Sequence, residues 1–195
     1  MNSGSMGAGA QGLLPRRQRL HTRSIVIEAF ERDDGLFDLD AHLTDIKDRD
    51  ADLASGVRRA GVPIHDMSLR LTINRNLDIV AIDTNFSAIP YPNACGTAGP
   101  AYRSLIGLNL LSNFKRQMMA VLGGIKGCTH MSELAAVLPT AAVQAFAGAV
   151  GESAGGKPFE LDRCHALETS TATVKKYYPV WHVGDALRCA NDEVS

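Results

Sequence analysis

Net charge, cysteine and long apolar runs are all scarce in this chain, and each shortage excludes a class of protein. The formal net charge of the 195 residues is -1, so the sequence lacks the basic footprint of a nucleic-acid-binding protein. The apolar runs fall far short of the roughly 20 residues that a membrane-spanning helix needs. The four cysteines are expected as thiols, metal ligands or nucleophiles instead of disulfides. We therefore expect no nucleic-acid or membrane partner.

The composition predicts one globular domain with tails. Hydrophobic residues make up 45% of the chain and charged residues 21%, which is enough apolar material for a full core. We expect a flexible N-terminal tail over 1–22, a single domain over 23–183 and a C-terminal tail over 184–195. The N-terminal tail is rich in Gly, Ala and Ser, then Arg, and lacks the apolar segment of a secretory signal. A cytoplasmic location is therefore expected.

The first half of the chain carries the pattern of β-strands. Apolar and polar residues alternate with period two over three stretches, at 24–30, 37–43 and 66–73. A fourth strand is expected at 77–86. Asp33-Asp34-Gly35 separates the first two and is a hairpin signal. The charged stretch 47–61 is expected to be a loop, with or without a short helix. Four strands with polar outer faces predict an antiparallel meander that is covered on one side.

After Pro90 and Pro92 the apolar residues change to helical spacing. The stretch 102–122 predicts two helices, and the Ala-rich stretch 131–150 predicts another, kinked or split by Pro139. The stretch 160–182 either returns as a hairpin or packs as irregular structure. The predicted fold class is therefore α+β, a four-stranded antiparallel meander followed by helices packed on one face.

Cys128-Thr129-His130 is the most informative motif of the chain. It follows the glycine-rich loop 123–127 and leads into the Ala-rich helix. A helix N-terminus favours the thiolate form of a cysteine, and Thr129 is a candidate N-cap. A Cys-x-His motif at the end of a loop can also present both side chains to one metal ion. Alternatively, Cys128 is a small buried hydrophobe and His130 a hydrogen-bonded boundary residue.

Other Cys and His residues also fall at the predicted ends of strands or helices. His65 opens the third strand, where a neutral imidazole serves as a ligand or a general base or is simply solvated. Cys95 lies between the fourth strand and the first helix, and the pair Cys164-His165 is a further option. Asp66 or Asp45 would orient a ligating imidazole. The hypothesis is a divalent metal, zinc first and iron second, without a nucleotide cofactor, on His65, Cys95, Cys128 and His130.

Arg103 is a candidate for binding the substrate. It begins the predicted first helix, where a cation is unfavourable against the helix dipole. Bidentate binding of a substrate carboxylate is one explanation for an arginine at this position. An exposed arginine that packs its stem on a neighbour is the other. Of the remaining histidines, His21 is assigned to the N-terminal tail and His42 to a solvated strand face.

The chain resembles a bacterial family across residues 23–181. The resemblance lies in seven motifs, which are Arg32-Asp33-Asp34-Gly35, Leu43-Thr44-Asp45, Pro63-Ile64-His65-Asp66-Met67, Arg70-Leu71-Thr72-Ile73, Gly127-Cys128-Thr129-His130, Cys164-His165-Ala166 and Tyr177-Tyr178-Pro179. They are similar to those of the family catalogued as domain of unknown function 2889. This resemblance implies no particular activity.

A second, fold-level resemblance is to iron–sulfur scaffold proteins of the IscU/NifU type. The matching positions are His65 before Asp66, Cys95 in a Cys-Gly-Thr-Ala loop, and Cys128 or His130 ahead of Leu134-Ala135. The first ligand is His where the family has Cys, and the later pair is Cys-x-His where the family has His-Cys. Clusters are held mainly by cysteine sulfur, so the mixed set is better suited to zinc with an open position.

We expect an enzyme that acts on a small organic acid or acyl compound, of lyase, decarboxylase or hydrolase type. The expected catalytic residues are His65, Cys128, His130 and Asp66, with Cys95 and Arg103 at the substrate and a metal as Lewis acid or water activator. The alternative is a non-catalytic metal or iron–sulfur carrier with a protein partner. A carrier needs an exposed site on a flexible loop, whereas an enzyme needs a concave pocket with apolar walls. A stability-only domain is the third possibility.

Overall fold

The computed structural model describes residues 16–147 and 156–184. The strands are β1 His21–Glu31, β2 Phe37–Lys47, β3 Ala51–Leu53, β4 Gly56–Arg58, β5 Pro63–Ile73 and β6 Ile79–Ala88. The α-helices are α1 Pro92–Cys95, α2 Phe114–Leu122, α3 Thr129–Phe146 and α4 Ala172–Tyr177. A 3-10 helix, Gly96–Leu105, joins α1 to the segment before α2. In these two described ranges, no helix has the length and apolarity needed to cross a bilayer.

The four long strands form one antiparallel sheet in the order β1-β2-β5-β6. The predicted four-stranded meander followed by helices is therefore confirmed. The first turn is the predicted hairpin, because Arg32 N–H donates to the Leu36 carbonyl at 2.9 Å and Gly35 takes a φ of +78°. Such a φ is open to glycine at little steric cost, so the sequence and the turn agree.

The stretch 47–61 differs from its prediction. It was expected to be a loop, with or without a short helix, but β3 and β4 pair there as a separate two-stranded hairpin. Each strand has three residues, which is too short for an alternating pattern to be recognised in a charged sequence. This small hairpin connects β2 to β5 and lies outside the main sheet.

The core lies between one face of the sheet and the helices. The odd-numbered residues at 37–45 of β2 and 67–73 of β5 point inward and are buried, as in Leu39, Leu43, Leu69 and Leu71. Helix α3 packs across β1, β2 and β5 and contributes buried side chains at helical spacing, Met131, Leu134, Leu138 and Ala142. Because strand side chains alternate between the faces, the even-numbered Asp40 and His42 lie on the uncovered outer face.

The helices follow the predicted pattern with two differences. The stretch 102–122 is divided as expected, but its first part belongs to the 3-10 helix that begins at Gly96 and contains Pro100. Helix α3 runs unbroken through Pro139 from Thr129 to Phe146, so proline does not split it. Residues 148–150, which were expected to continue this helix, lie outside the described residues.

The C-terminal segment packs as irregular structure, which was one of the two expectations for it. Its described part contains α4 and two short 3-10 turns, and no strand is found among residues 156–184. Val174 and Leu161 are buried, with exposed fractions of 0% and 4%, and Phe159 packs against the core beside Phe146 of α3, which attaches this segment to the domain. The parts of both predicted tails at 1–15 and 185–195, including Cys189, lie outside the described residues.

Candidate functional site

A buried carboxylate, Asp45, interrupts the apolar inner face of the sheet. It follows Leu39, Ala41 and Leu43 on the same side of β2 and is only 3% exposed. Antiparallel pairing places Arg23 of β1 opposite it on one side and His65 of β5 opposite it on the other. The register of β2 and β5 shifts directly after Asp45, and such bulges often adjoin functional sites because they redirect side chains.

Four hydrogen bonds converge on the Asp45 carboxylate. Arg23 donates twice, from Nε to Oδ1 and from Nη2 to Oδ2, each at 2.8 Å. His21 Nε2 lies 2.8 Å from Oδ1, and His65 Nδ1 lies 2.9 Å from Oδ2. A buried charge is tolerated when it is paired and hydrogen-bonded in this way.

The pKa of Asp45 is held well below its ordinary range. Burial raises this pKa, but the hydrogen bonds from Arg23 and His21, the Arg23 charge and the bond from His65 outweigh burial. The carboxylate is therefore ionised and can only accept hydrogen bonds. Without a metal, His65 Nδ1 then carries the proton of this hydrogen bond, and a metal bound at Nδ1 would replace that proton.

Helix α3 adds a second imidazole to this group. His130 Nε2 lies 3.6 Å from Asp45 Oδ2, and the His130 ring stacks on the His65 ring with centroids 3.8 Å apart. Burial lowers the pKa of His130, and the charges of His65 and Arg23 lower it further, so the neutral imidazole is favoured. Asp45, His65 and His130 each offer one ligand atom, all within 4.8 Å of one another, which is a spacing compatible with a divalent metal.

Arg23 also fixes the helix that carries His130. Its Nη1 donates to the carboxylate of Glu133, which lies three residues after His130 and therefore near it on the helix surface. One guanidinium thus joins β1, Asp45 of β2 and the first turn of α3. The planar fork of arginine is suited to holding two carboxylates in fixed directions.

A buried tyrosine holds the loop before α3. The Tyr102 hydroxyl donates to the Cys128 carbonyl at 2.7 Å and accepts from the Cys128 N–H at 3.1 Å. Ser132 Oγ lies 2.9 Å from the same hydroxyl. A Cβ at Gly127 would lie 2.8 Å from the Leu122 carbonyl oxygen and 3.2 Å from the Tyr102 hydroxyl, so this close approach requires glycine.

Cys128 itself is the N-cap residue of α3, and its side chain makes no capping hydrogen bond. The prediction that Thr129 is the N-cap is wrong, because Thr129 is already the first helical residue. Cys128 Sγ lies 3.9 Å from His130 Nδ1, which is the ring nitrogen not directed at Asp45. The thiol therefore approaches the imidazole from the side away from the carboxylate.

The two imidazoles and Cys128 line a cavity of about 670 Å³. The other lining residues come from the segment 90–101, from the loop 125–129 and from Met67 of β5. Cys95 at the end of α1 also lines it. Four residues proposed from sequence, His65, Cys95, Cys128 and His130, thus face one cavity, whereas Cys164 and His165 of the C-terminal segment do not line it.

Of the two carboxylates proposed to orient a ligating imidazole, Asp45 contacts His65 and Asp66 does not. Asp66 lies on the outer face, where its Oδ1 accepts a hydrogen bond from His42 Nε2 at 2.8 Å. His42 is exposed, as expected for a solvated strand face.

Arg103 and His21 also lie elsewhere than expected. The 3-10 helix begins at Gly96, which places Arg103 in its last turn, exposed and outside the cavity lining. His21 opens β1 and contacts Asp45, although it was assigned to the tail. The guanidinium at the site is instead that of Arg23. The period-two pattern of Ile25 and Ile27, extended backwards, would have placed Arg23 and His21 on the inner face.

A family model described as "Protein of unknown function (DUF2889)" matches residues 21–144. The chain belongs to this family. The match begins at His21 and ends within α3. It therefore contains Asp45, the four side chains around it and the Arg23 partner Glu133, which are His21, Arg23, His65, His130 and Glu133. No curated protein and no solved structure shows significant similarity to the chain, and the IscU/NifU-type resemblance is unconfirmed.

The depressed pKa of Asp45 predicts a specific acid sensitivity. An ionised group with a folded pKa below its unfolded value of about 3.9 stabilises the fold above that value, and this contribution is lost as the pH falls through the folded pKa. Asp45→Asn should lower the free energy of unfolding at pH 7 by about 3 kcal/mol and flatten its decline between about pH 5 and pH 2. Urea unfolding across this pH range measures both effects.

Asp66→Asn is the matched control, since this carboxylate bonds one histidine on the outer face. It should leave the acid slope close to that of the wild type. An Asp45→Asn protein with the wild-type acid slope would contradict the assignment of Asp45 as the buried ionised carboxylate.

The hydroxyl of Tyr102 is predicted to order the loop that carries Cys128 and His130. Tyr102→Phe removes the partner of the Cys128 N–H and of the Cys128 carbonyl, which should destabilise the fold by about 1–3 kcal/mol. Amide hydrogen exchange should accelerate at residues 128–130 ahead of the rest of α3. Tyr178→Phe, which removes a hydroxyl bonded to Glu160, serves as the control. Unchanged exchange at residues 128–130 in Tyr102→Phe would show that packing alone orders the loop.

Proposed function

We propose that the protein is an enzyme acting on small molecules, which uses His65 and His130 together with a bound divalent metal. Asp45 contacts and orients both imidazoles. The observation that carries this proposal is the convergence of two imidazoles and an ionised carboxylate, of which both imidazoles line one cavity. The reaction class is lyase, decarboxylase or hydrolase chemistry on an organic acid or acyl compound. These reactions share the need for a positioned base and for stabilisation of negative charge on oxygen.

The spacing of the three ligand atoms supports a metal. Asp45 Oδ2 lies 2.9 Å from His65 Nδ1 and 3.6 Å from His130 Nε2. Metal–ligand distances of about 2.0–2.2 Å in a tetrahedral zinc site place neighbouring ligands roughly 3.4 Å apart, so only small side-chain shifts are needed. Three protein ligands leave a position open, as in catalytic zinc sites, and a set of two His and one carboxylate also suits iron. Zinc is our first choice and iron the second.

The surrounding residues support this centre from outside. Asp45 Oδ1 accepts from His21 and Arg23, which fixes the carboxylate plane and leaves Oδ2 directed at the imidazoles. Hydrogen bonds that hold a ligating side chain in a fixed direction are a general feature of metal sites. When bound, the metal would polarise a substrate oxygen or activate a water molecule.

The chain's own groups would handle the protons. The lowered pKa of His130, caused first by its burial, keeps this imidazole in its basic form at neutral pH. Asp45 stays ionised and, as a ligand, would offset part of the positive charge of the metal. Cys128, at 3.9 Å from His130 Nδ1, is the nearest side chain able to exchange a proton with that nitrogen.

The shape of the site favours an enzyme over a metal or sulfur carrier. The carboxylate is 3% exposed, and the His65 and His130 side chains are 14% and 25% exposed. A carrier must present its cargo to a protein partner, whereas here the two imidazoles line a cavity with many apolar residues and the carboxylate is buried, which suits an enzyme. A cytoplasmic location is part of the proposal, because Cys95, Cys128 and Cys164 are free thiols.

Metal binding is tested by calorimetric titration of zinc into protein purified without a metal-affinity tag. The wild type should bind one equivalent, with an affinity that rises between pH 5.5 and pH 7.5 because the ligand nitrogens must lose their protons. His130→Ala and His65→Ala should lose this binding. His42→Ala is the matched control, since it removes a histidine paired with an aspartate on the outer face, and it should bind as the wild type does.

The same samples distinguish a functional metal from a structural one. The apolar core between sheet and helices is complete without a metal, so His130→Ala and chelator-treated wild type should both unfold cooperatively near the wild-type midpoint. Equal zinc stoichiometry in His130→Ala and wild type would contradict the assigned ligands. Loss of cooperative unfolding on chelation would show a structural site instead.

A further inference from the structure

The cavity is much larger than the polar cluster at its surface. Its volume of about 670 Å³ corresponds to roughly 20 water molecules at about 30 Å³ each. Cavities of about 300–1,000 Å³ are typical of sites for drug-sized ligands. A substrate of three or four non-hydrogen atoms would occupy only a small part of this space, and the remainder must be matched by another part of the ligand.

The residues around the rest of the cavity are mainly small or apolar. The segment 90–101 contributes Pro90, Ala94, Ala98 and Ala101, and β5 contributes Met67. Apolar walls bind apolar groups because contact removes both from water. The polar groups His65, His130 and Cys128, by contrast, lie in mutual contact. The lining therefore consists of one polar cluster and a larger apolar area.

The charges of the lining select against cations. Lys126 lines the cavity, and its Nζ also donates to the Ala120 carbonyl at 3.2 Å. No carboxylate is among the lining residues in the described ranges, since Asp45 lies behind the imidazoles. A ligand head group that presents an anionic or carbonyl oxygen fits these lining residues. An ammonium group would meet Lys126 without a compensating acid.

Two large apolar side chains at the cavity are exposed to solvent. Ile125 is 105% exposed and Tyr91 is 48% exposed, and both belong to the cavity lining. Ile125 lies in the short 3-10 turn Gly124–Lys126, in which Gly124 has a φ of +63°. These side chains gain cover when a ligand with an apolar body occupies the cavity.

We propose that the substrate is a carboxylic acid, or its acyl derivative, with an apolar body of about eight carbon atoms or more. The head group binds at His65 and His130, and the body lies against Ala94, Ala98, Tyr91 and Ile125. This inference rests on the proposed function for the role of the two histidines. It goes beyond that function by naming the substrate class and the residues that set specificity.

Binding of defined probes tests this proposal. Calorimetric titration uses butanoate, hexanoate, octanoate and decanoate, and 2-naphthoate as the aromatic probe. Affinity should rise about fourfold for each added methylene until the apolar area is covered. Tighter binding of 2-naphthoate than of octanoate identifies an aromatic body, and the reverse identifies an aliphatic one; both outcomes support the proposed class.

Two variants locate the apolar body. Ala98→Trp fills the cavity and should weaken decanoate binding at least tenfold while changing butanoate binding less than threefold. Ile125→Ser should weaken decanoate binding severalfold, and it leaves the core intact because Ile125 is fully exposed. Ala54→Trp, in the exposed turn between β3 and β4, is the control for the added indole. Affinity independent of chain length, or no binding of decanoate and 2-naphthoate, would overturn the proposal.

The failure of this inference can be separated from the failure of the metal site. The titrations are repeated with chelator and with His130→Ala, where the gain in affinity per methylene should persist although head-group binding weakens. Chain-length dependence without zinc binding would support the substrate class and reject the metal. Zinc binding without chain-length dependence, or without an effect of Ala98→Trp, would reject the substrate class alone.

Discussion

The site depends on one buried negative charge. Asp45 sits where the alternation of β2 demands an inward residue, and it is ionised there in spite of its burial. A buried carboxylate is stable only with paired charge and full hydrogen bonding. Arg23, His21 and His65 meet this demand from the two neighbouring strands, so the charge determines which side chains converge.

The fold delivers the remaining parts of the site through rigid elements. Helix α3 packs its apolar side on the sheet, and this packing brings His130 over His65 at the edge of the core. Arg23 and Glu133 fix the first turn of α3 to β1, while the buried Tyr102 hydroxyl fixes the preceding loop. His130 is thus fixed by contacts of its own helix and of the loop before it. Such fixed side chains are suited to chemistry that requires accurate positioning.

Local pattern predicted the elements better than the site. The alternation in β2 and β5 and the Asp33-Asp34-Gly35 turn were enough for the antiparallel meander, because side-chain direction follows directly from period two. The same rule separates Asp66 from His65, since an inward Met67 requires an outward Asp66. The contact of His65 with Asp45 depends on the register between β2 and β5 and on the bulge beside Asp45, which follow from packing between distant segments and not from local pattern. Arg23 and His21 were missed because the strand was started too late.

The central claim is that Asp45, His65 and His130 form one metal centre at the cavity. X-ray diffraction from crystals grown with zinc, recorded above and below the zinc absorption edge, locates the ion independently of any activity. We expect one strong anomalous peak within about 2.0–2.2 Å of Asp45 Oδ2, His65 Nδ1 and His130 Nε2. A peak at His42 and Asp66 on the outer face, or no peak at Asp45 at full zinc occupancy in solution, would contradict this metal centre.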